Sequence, residues 1–362
     1  MRTIRITGTG SALPGRIVTN KELEQMVETS DEWIRERTGI GERHVSVGET
    51  VVTLASEAAR KALEQAGKRA EEIDLILVAT CSPEQYLPCC ACQVQADIGA
   101  VNALAFDVNA ACSGFLFALN TADAYLRTGL AENALVIGSE VLSKLVDWTD
   151  RGSCILFGDG AGAVVVERCR TESRAVEYSN ALPETEKGMQ ETAEEKRIPA
   201  AGILGRALHS DGTGGGVLQC GARELTTPYA RTSAAKTDQK QQTDDREHYI
   251  QMDGQEVYRF ATRRVPQCIE EALADAGLVV PDIDLFVLHQ ANARIIDAVA
   301  KRLHADREKF PTNLERVGNL SSASIPVLLD ELYKQGKLHR GDRIVLAGFG
   351  AGLTIGACVM TW

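Results

Sequence analysis

The chain has 362 residues, of which 44% are hydrophobic and 5% aromatic, and its formal net charge is −11. This length predicts two core units, and the composition is typical of an α/β protein packed with small aliphatic side chains. The acidic balance argues against nucleic acid as a general partner.

Two further features concern location. The N-terminus has the pattern of a charged strand edge rather than of a signal peptide, and no apolar run approaches the roughly 18 residues of a membrane span. Ten cysteines in such a chain predict reduced thiols. We therefore expect a cytoplasmic protein that does not enter a membrane.

Residues 62–79 predict a helix, a glycine cap and a buried strand. The amphipathic helix ends at Gly67, and a strand from Leu75 to Ala79 follows after a short loop. The same pattern recurs 210 positions later, with Gly277 as the cap and a strand from Leu285 to His289. This repeat predicts an internally duplicated α/β unit.

Two more correspondences support the duplication. Cys112 and Gly129 are 17 residues apart, as are Asn319 and Gly336, and the glycine-rich segment 158–162 matches segment 348–352. Three matches in the same order in both halves favour a true repeat over coincidence.

The cysteines at positions 89, 90 and 92 form a CCxC cluster that could be half of a zinc site. Structural zinc needs four ligands, and no second pair with suitable spacing follows. We predict no metal and interpret the cluster as a small-residue packing surface.

Cys112 follows a predicted strand, residues 103–108, and precedes a helix-periodic segment, residues 113–126. A thiol at a helix N-terminus faces the positive end of the helix dipole, which favours the nucleophilic thiolate. The position is also compatible with a cysteine that only fills space in the core. A catalytic role therefore needs support from the rest of the chain.

Residues 168–204 are rich in Glu, Lys, Arg and Thr, and they separate an N-terminal half, 1–167, from a C-terminal half, 205–362. We interpret this stretch as a charged insertion or linker, with a short surface helix at 188–197 and a tolerated loop as its simplest role. A second polar stretch, residues 226–245, is expected to be mobile without ligand.

Two polar residues of the C-terminal half lie where chemistry is expected. His289 ends the predicted strand, and Asn319 lies in the segment Gly-Asn-Leu-Ser-Ser. In parallel α/β sheets, ligands bind beyond the carboxyl ends of the strands. A pseudo-two-fold axis would bring both side chains to Cys112, although a structural histidine is the alternative for His289.

A set of motifs spans the chain from end to end, apart from the two polar stretches. They comprise residues 8–14, 29–34, 37–40, 109–115, 150–152, 157–162, 289–292 and 318–324. Together they resemble the β-ketoacyl-[acyl-carrier-protein] synthase III family, condensing enzymes of the thiolase superfamily that start bacterial fatty-acid synthesis. The resemblance implies a thiolase-like α/β fold of five layers, αβαβα, and a homodimer.

By this resemblance Cys112, His289 and Asn319 form a catalytic triad. Cys112 would take the acyl group of an acyl-CoA primer, with acetyl-CoA the expected one, and malonyl-acyl carrier protein would then lose CO2 and attack the acyl-cysteine. The backbone N–H groups of Cys112 and Ala351 would hold the tetrahedral oxyanion. Many relatives have glycine in place of Ala351. No cofactor is implied, because the CoA thioester is a substrate.

The resemblance also places CoA contacts. They are Trp33 and Arg151 on the adenine, Arg37 near the phosphates with Thr29 in the same loop, and Gly254 and Asn292 on the pantetheine arm. Plain helix packing is the alternative for Trp33, although Trp33 and Arg37 share a helix face.

Two other assignments concern the acyl group and the carrier protein. Leu87 stands where some relatives have a phenylalanine that reaches the acyl pocket across the dimer interface, so a smaller side chain here would admit longer or branched primers. The acidic carrier protein would be contacted by a local basic patch of Arg294, Lys301 and Arg302, although the chain as a whole has a negative net charge. An ordinary solvated helix face is the alternative for Lys301 and Arg302.

Alternative functions stay open at this point. A related condensing enzyme of secondary metabolism, of the polyketide or alkylquinolone type, would share the triad. A cysteine-dependent acyltransferase or thioesterase would load the same cysteine without condensation. The complete triad and the Gly-Asn-Leu-Ser-Ser segment favour condensation.

Overall fold

The structure, a computed structural model, describes residues 2–170, 202–221 and 248–362. Over these residues, no helix is long and apolar enough to cross a membrane. The expected surface helix at 188–197 and the polar stretch 226–245 lie outside the described residues.

The N-terminal half contains a mixed sheet of five strands in the order β1-β7-β6-β4-β5. The strands are β1 (Arg2–Ala12), β4 (Leu75–Ala79), β5 (Leu104–Val108), β6 (Asn133–Glu140) and β7 (Gly160–Arg170). Strands β5, β4 and β6 are parallel, whereas β7 and β1 pair antiparallel. Every residue of β4 is buried, as expected for a parallel strand covered on both faces.

The helices of this half are α1 (Asn20–Leu23), α2 (Asp31–Thr38), α3 (Val51–Ala66), α4 (Cys90–Ile98) and α5 (Gly114–Thr128). A small hairpin joins β2 (Arg16–Thr19) to β3 (Glu42–Val45). The predicted strand 103–108 and helix 113–126 are confirmed with shifts of one or two residues at their ends.

The C-terminal half contains a second sheet in the order β11-β12-β13-β8. The strands are β8 (Gly202–His209), β11 (Leu285–Leu288), β12 (Arg343–Gly350) and β13 (Thr354–Thr361), and a small separate pair is formed by β9 (Leu218–Gln219) and β10 (Gln251–Met252). The helices are α6 (Gly254–Ala276), α7 (Ala293–Arg302), α8 (Leu314–Val317) and α9 (Ser324–Lys334).

Three buried clusters define the layers. The central cluster joins α5 and α9 to the inner faces of both sheets, through side chains such as Leu116, Leu329, Val136 and Leu346. A second cluster packs α3 and α4 on the outside of the first sheet, and a third packs α6 and α7 on the outside of the second. Burial of each large aliphatic side chain contributes about 1.5–3 kcal/mol. This arrangement is the predicted αβαβα fold.

The 210-residue repeat holds in three dimensions. Asp74 precedes β4 and accepts the backbone N–H of Asn133 at 3.0 Å, and Asp284 precedes β11 and accepts that of Arg343 at 2.8 Å. Gly67 and its counterpart at position 277 end their helices in the left-handed region, at φ +64° and +66°.

The other two sequence correspondences are wrong in register. The turns that begin at Ala111 (φ +47°) and Ser321 (φ +48°) are equivalent and again lie 210 residues apart, so the counterpart of Cys112 is Ser322 rather than Asn319. The β6–β7 connection is much longer than the β12–β13 connection. Segment 158–162 therefore leads into β7, whereas segment 348–352 ends β12, and the two glycine segments are not structural equivalents.

The strand ends also bear on the predicted insertion. Strand β7 continues to Arg170, and β8 already begins at Gly202. Residues 168–170 and 202–204 of the predicted insertion are therefore strand residues. An insertion between the halves is confined to residues 171–201.

Candidate active site

The three residues of the predicted triad lie in one cavity. This cavity, of about 510 Å³, is lined by Cys112, His289 and Asn319 and opens between α2, α6 and α7. A smaller cavity of about 210 Å³ adjoins it at Cys112. The pseudo-symmetric halves therefore bring together side chains that are far apart in the chain.

Cys112 lies in a short 3₁₀ turn, Ala111–Ser113, directly before α5. Burial raises the pKa of its thiol to about 12, and the hydroxyl of Ser321 opposes that rise. A rise from the ordinary value of 9.0 corresponds to about 4 kcal/mol, whereas a helix dipole contributes at most about 2 kcal/mol. Desolvation therefore outweighs the favourable effect of the helix dipole.

His289 is the first residue after β11, and its side chain is buried, with 4% of its surface exposed. Its backbone N–H donates to the carbonyl of Ala347 at 2.8 Å, and its ring meets Phe349 edge-on with the centroids 5.5 Å apart. Burial lowers the pKa of the imidazole to about 3. Among the described residues, no group hydrogen-bonds to Nδ1. The imidazole is therefore neutral at physiological pH.

Asn319 is oriented by its own turn. Its Oδ1 accepts the backbone N–H of Ser321 at 2.8 Å, and its backbone pairs with Leu156 and Gly158. Because the carbonyl side of the amide is occupied, Asn319 presents its NH2 group to a ligand. Asn109, its pseudo-symmetric counterpart, makes a longer bond of the same kind to Ala111, at 3.4 Å.

The predicted oxyanion site lies where β12 ends against the nucleophile. A Cβ atom on Gly350 would meet the Cys112 nitrogen at 2.6 Å, so only glycine allows this approach. Ala351 follows and lines the smaller cavity beside Cys112. The backbone of Ala351 does not adopt a left-handed conformation, whereas Gly352 (φ +72°) and Leu353 (φ +45°) do. Alanine therefore fits this position without strain.

Of the six residues predicted to contact CoA, four line the larger cavity, and Thr29 and Arg151 do not. The guanidinium of Arg151 lies 5.1 Å from the centre of the Trp33 ring and that of Arg37 lies 5.9 Å from it. Such contacts are worth about 0.5–1 kcal/mol at exposed sites. Trp33 and Arg37 line the cavity, whereas Thr29 does not, and its buried hydroxyl has no partner among the described residues.

Asn292 and Gly254 also line this cavity. The Asn292 amide is committed within the protein, because Oδ1 accepts the N–H of Arg294 at 2.8 Å and Nδ2 donates to the carbonyl of Arg37 at 3.0 Å. These bonds cap α7 and join it to α2. Gly254 begins α6, where Asp253 caps the helix.

The basic residues assigned to the carrier protein do not lie together. Arg294 lines the cavity and its guanidinium lies 5.9 Å from the centre of the Tyr258 ring. Lys301 and Arg302 are exposed in the last turn of α7, outside the cavity wall. Sequence reasoning missed Arg259, which also lines the cavity and forms an ion pair with Glu256. Its position on α6, about one and a half turns from Gly254, was the available signal.

Leu87 lines neither cavity of its own chain and is 85% exposed. Its assignment to the acyl pocket of a neighbouring subunit stays a prediction. Sequence reasoning missed the apolar walls of the smaller cavity, which come from Leu142, Leu145, Leu218 and Ile250.

Comparison with known proteins places the chain in a family. Models of 3-oxoacyl-[acyl-carrier-protein] synthase III and of its C-terminal region match residues 106–181 and 273–362. The chain is 44% identical to the beta-ketoacyl-[acyl-carrier-protein] synthase III of Clostridium acetobutylicum and 45% identical to that of Desulfitobacterium hafniense, covering 100% of this chain and 99% and 98% of those proteins. The chain belongs to this family.

Solved structures agree with this membership. The 3-oxoacyl-[acyl-carrier-protein] synthase III of Aquifex aeolicus is 39% identical with a TM-score of 0.83, covering 99% of this chain and 100% of that one. The enzyme from Thermus thermophilus is 37% identical, also with a TM-score of 0.83 and 99% coverage of both chains. The predicted family, thiolase-like fold and enzyme class are confirmed. The protein is an acyltransferase, an initiating condensing enzyme of fatty-acid synthesis.

Proposed function

We propose that Cys112 carries the acyl group in a two-stage condensation of an acyl-CoA primer with malonyl-acyl carrier protein. The observation that carries this proposal is the single cavity shared by Cys112, His289 and Asn319, with Trp33 and Arg37 at its mouth. The described residues that line this cavity include no carboxylate, so His289 is the base available there.

In the first stage the sulfur of Cys112 attacks the thioester carbonyl. The thiol proton passes to His289, the C–S bond to CoA breaks, and the proton leaves with CoA as its thiol. Burial keeps thiol and imidazole neutral in the empty site, so charge develops only as the carbonyl is attacked. The backbone N–H groups of Cys112 and Ala351 stabilise the oxyanion.

In the second stage the malonyl group loses CO2, and the electron pair of the broken C–C bond forms a thioester enolate. N–H donors of His289 and Asn319 stabilise the enolate oxygen, and no proton transfer is required of them. The enolate carbon then attacks the acyl-cysteine, and the thiolate of Cys112 leaves and takes a proton from water. The product is a 3-oxoacyl thioester on the carrier protein.

Intact-mass measurement of the protein tests this proposal. After incubation with a panel of acyl-CoA thioesters, the wild type gains one acyl group on Cys112, and addition of malonyl-acyl carrier protein removes it. Cys112→Ser stays unloaded, and His289→Ala loads more slowly than wild type because it lacks the base, whereas Asn319→Ala loads normally. Both His289→Ala and Asn319→Ala fail to discharge, with condensation reduced by about 10²–10³. Loading of Cys112→Ser, or normal discharge by both other variants, would contradict the assignment.

Arg294 supplies the carrier-protein contact in this proposal. Arg294 lines the larger cavity from the first turn of α7, whereas Lys301 and Arg302 are exposed in the last turn of the same helix. Arg294→Glu should raise the KM for malonyl-acyl carrier protein about tenfold or more and spare acyl-CoA loading. Lys337→Glu, an exposed charge reversal outside the cavity, is the matched control. Equal loss of both half-reactions in Arg294→Glu would contradict the assignment.

The chain length of the primer is proposed from the smaller cavity and from the leucine at position 87, where some relatives have phenylalanine. The cavity is lined mainly by apolar side chains next to Cys112, and we propose that it holds an acyl chain longer than acetyl or branched. Loading across the acyl-CoA panel tests this directly. Strict preference for acetyl-CoA without loading of medium chains would reject it.

A second condensing function has a specific observation in its favour. The priming β-ketosynthase of the R1128 polyketide pathway is 33% identical with a TM-score of 0.82, covering 99% of this chain and 96% of that one. A preference for a polyketide carrier protein over a fatty-acid carrier protein in the discharge step would favour this function.

The remaining parts of the proposal concern assembly, cofactors and location. A homodimer is supported by β5, an edge strand whose Leu104 is 54% exposed, next to Val101 at 72%. No cofactor is proposed, since the thioester and the loss of CO2 supply the chemistry. All ten cysteines are free, which supports a cytoplasmic location.

A further inference from the structure

A buried carboxyl group lies behind the nucleophile. Glu140 is the last residue of β6 and has no exposed surface. Within the described part of the chain, no Lys, Arg or His nitrogen pairs with it, and the titratable groups that face it are the thiols of Cys81 and Cys112. Burial raises its pKa.

One carboxyl oxygen is surrounded by donors. Oε2 accepts the hydroxyl of Ser82 at 2.5 Å, the hydroxyl of Thr80 at 3.2 Å and the backbone N–H of Cys81 at 3.1 Å. The Ser82 oxygen also accepts the N–H of Val141 at 2.9 Å, and its single proton is free to bond to Oε2. Because two hydroxyls and a backbone N–H converge on Oε2, we assign this oxygen as the acceptor side of the carboxyl group.

The other carboxyl oxygen faces a hydroxyl that already has an acceptor. The Ser322 hydroxyl oxygen lies 2.8 Å from Oε1 of Glu140 and 2.8 Å from the carbonyl oxygen of Ala79. A hydroxyl has one proton and a carbonyl cannot donate, so an ionised Glu140 would leave one of these contacts without a hydrogen. A protonated Oε1 satisfies both, since it donates to Ser322 and Ser322 donates to Ala79.

This network reaches two of the proposed catalytic side chains. The hydroxyl of Ser321 lies 3.2 Å from Oε1 of Glu140 and hydrogen-bonds to the thiol of Cys112. The backbone N–H of Ser321 donates to Asn319. Ser321 itself is held in the left-handed region at φ +48°, which a non-glycine residue keeps only when its surroundings impose it.

We propose that Glu140 is a positioning residue held as the neutral carboxylic acid, whose proton bonds to Ser322 and fixes the turn that orients Asn319 and Cys112. The neutral form also matters for charge, because an ionised Glu140 raises the pKa of the Cys112 thiol and opposes thiolate formation. This inference deepens the proposed function and rests on Cys112 as the acyl acceptor.

Infrared spectroscopy and thiol alkylation test the protonation state. We expect the wild type at neutral pH to show a carboxylic-acid C=O band that is missing in Glu140→Gln. Glutamine reproduces the donor and acceptor sides of the acid, so iodoacetamide should alkylate Cys112 at a rate within about twofold of wild type. Absence of the band, or alkylation about tenfold faster at neutral pH in Glu140→Gln, would overturn the proposal, because either result shows a charged carboxylate in the wild type.

A second variant, Ser322→Ala, tests the proposal independently if Glu140→Gln does not fold. Ser322→Ala keeps the carboxyl group and removes the acceptor of its proton, so the acid band should move to higher frequency, and an unchanged band would contradict the proposal. Asp330→Asn is the control, a buried carboxyl bonded to Thr9, Ser11 and Lys334, and it should leave the band and the alkylation rate unchanged. These readouts do not need condensation, so they separate this inference from failure of the Cys112 assignment.

Discussion

Cys112 and His289 lie in one cavity, and burial shifts their pKa values in opposite directions, to about 12 and about 3. Both shifts favour the uncharged form of the group, because the site has little solvent to stabilise charge. At the residue scale the Cys112 thiol and the His289 imidazole are therefore both uncharged. In the proposed reaction, the N–H donors stabilise charge that appears only during the reaction, at the thioester oxyanion and at the enolate oxygen.

The neutral imidazole predicts a dependence of stability on pH. The pKa of His289 is lowered in the folded state, so the unfolded chain binds more protons between pH 6.5 and about 3. Its contribution to stability is present above pH 6.5 and is lost as the pH falls through this window, by up to about 5 kcal/mol. Denaturant unfolding of His289→Asn should show a smaller loss over the same range. Parallel curves for variant and wild type would contradict this prediction.

At the element scale, close approaches of backbone position the turns that contain Cys112 and Asn319. Strand β12 ends at Gly350 against the nitrogen of Cys112, and β6 passes the Ser321–Ser322 turn at Gly138. A Cβ atom on Gly138 would lie 2.3 Å from the carbonyl oxygen of Ser322. The strand and the turn that follows Asn319 therefore fit only while position 138 has no side chain.

Gly138→Ala tests this packing. The added methyl group must displace the backbone of Ser322, so we expect a loss of about 1–3 kcal/mol in the free energy of unfolding. Condensation should fall more than acyl loading, because Asn319 lies on the displaced segment. Gly15→Ala, where the added atom meets open space, is the control for both measurements. A Gly138→Ala protein with wild-type stability and condensation would show that the turn adapts freely.

At the scale of the whole molecule, the first sheet ends in an unpaired edge. Strand β5 pairs only with β4 in the described residues, and its first side chain, Leu104, is 54% exposed. Natural proteins usually cover or charge such an edge. We propose that a second copy of the chain covers this edge, which would bring Leu87 to the neighbouring subunit.

Leu104→Lys tests the dimer. A charge placed on the exposed side of β5 should shift the protein from dimer to monomer in sedimentation velocity, because pairing would bury it against its symmetry mate. Val279→Lys, an equally apolar and exposed site at the end of α6, should leave the mass unchanged. A wild type that sediments as a monomer, or a dimer that persists in Leu104→Lys, would contradict this interface.

The sequence by itself determined the features that are local or periodic. Gly67 predicts the end of a helix, and the apolar run after it predicts a buried strand. The recurrence of this pattern 210 positions later predicts the internal duplication and the α/β class of the fold. The segments around Cys112, His289 and Asn319 are specific enough to identify the family and the class of enzyme.

Only the tertiary structure decided what depends on distant neighbours. The desolvation of a group depends on all the atoms packed around it. The spacing of residues in the sequence therefore does not predict the protonation state of Cys112 or the burial of Glu140. The amide of Asn292 is bound to Arg37 across 255 positions of the chain. The glycine segments 158–162 and 348–352 depart from the 210-residue offset that relates Cys112 to Ser322, because the connections after β6 and β12 differ in length, and this difference becomes evident only when the strand ends are known.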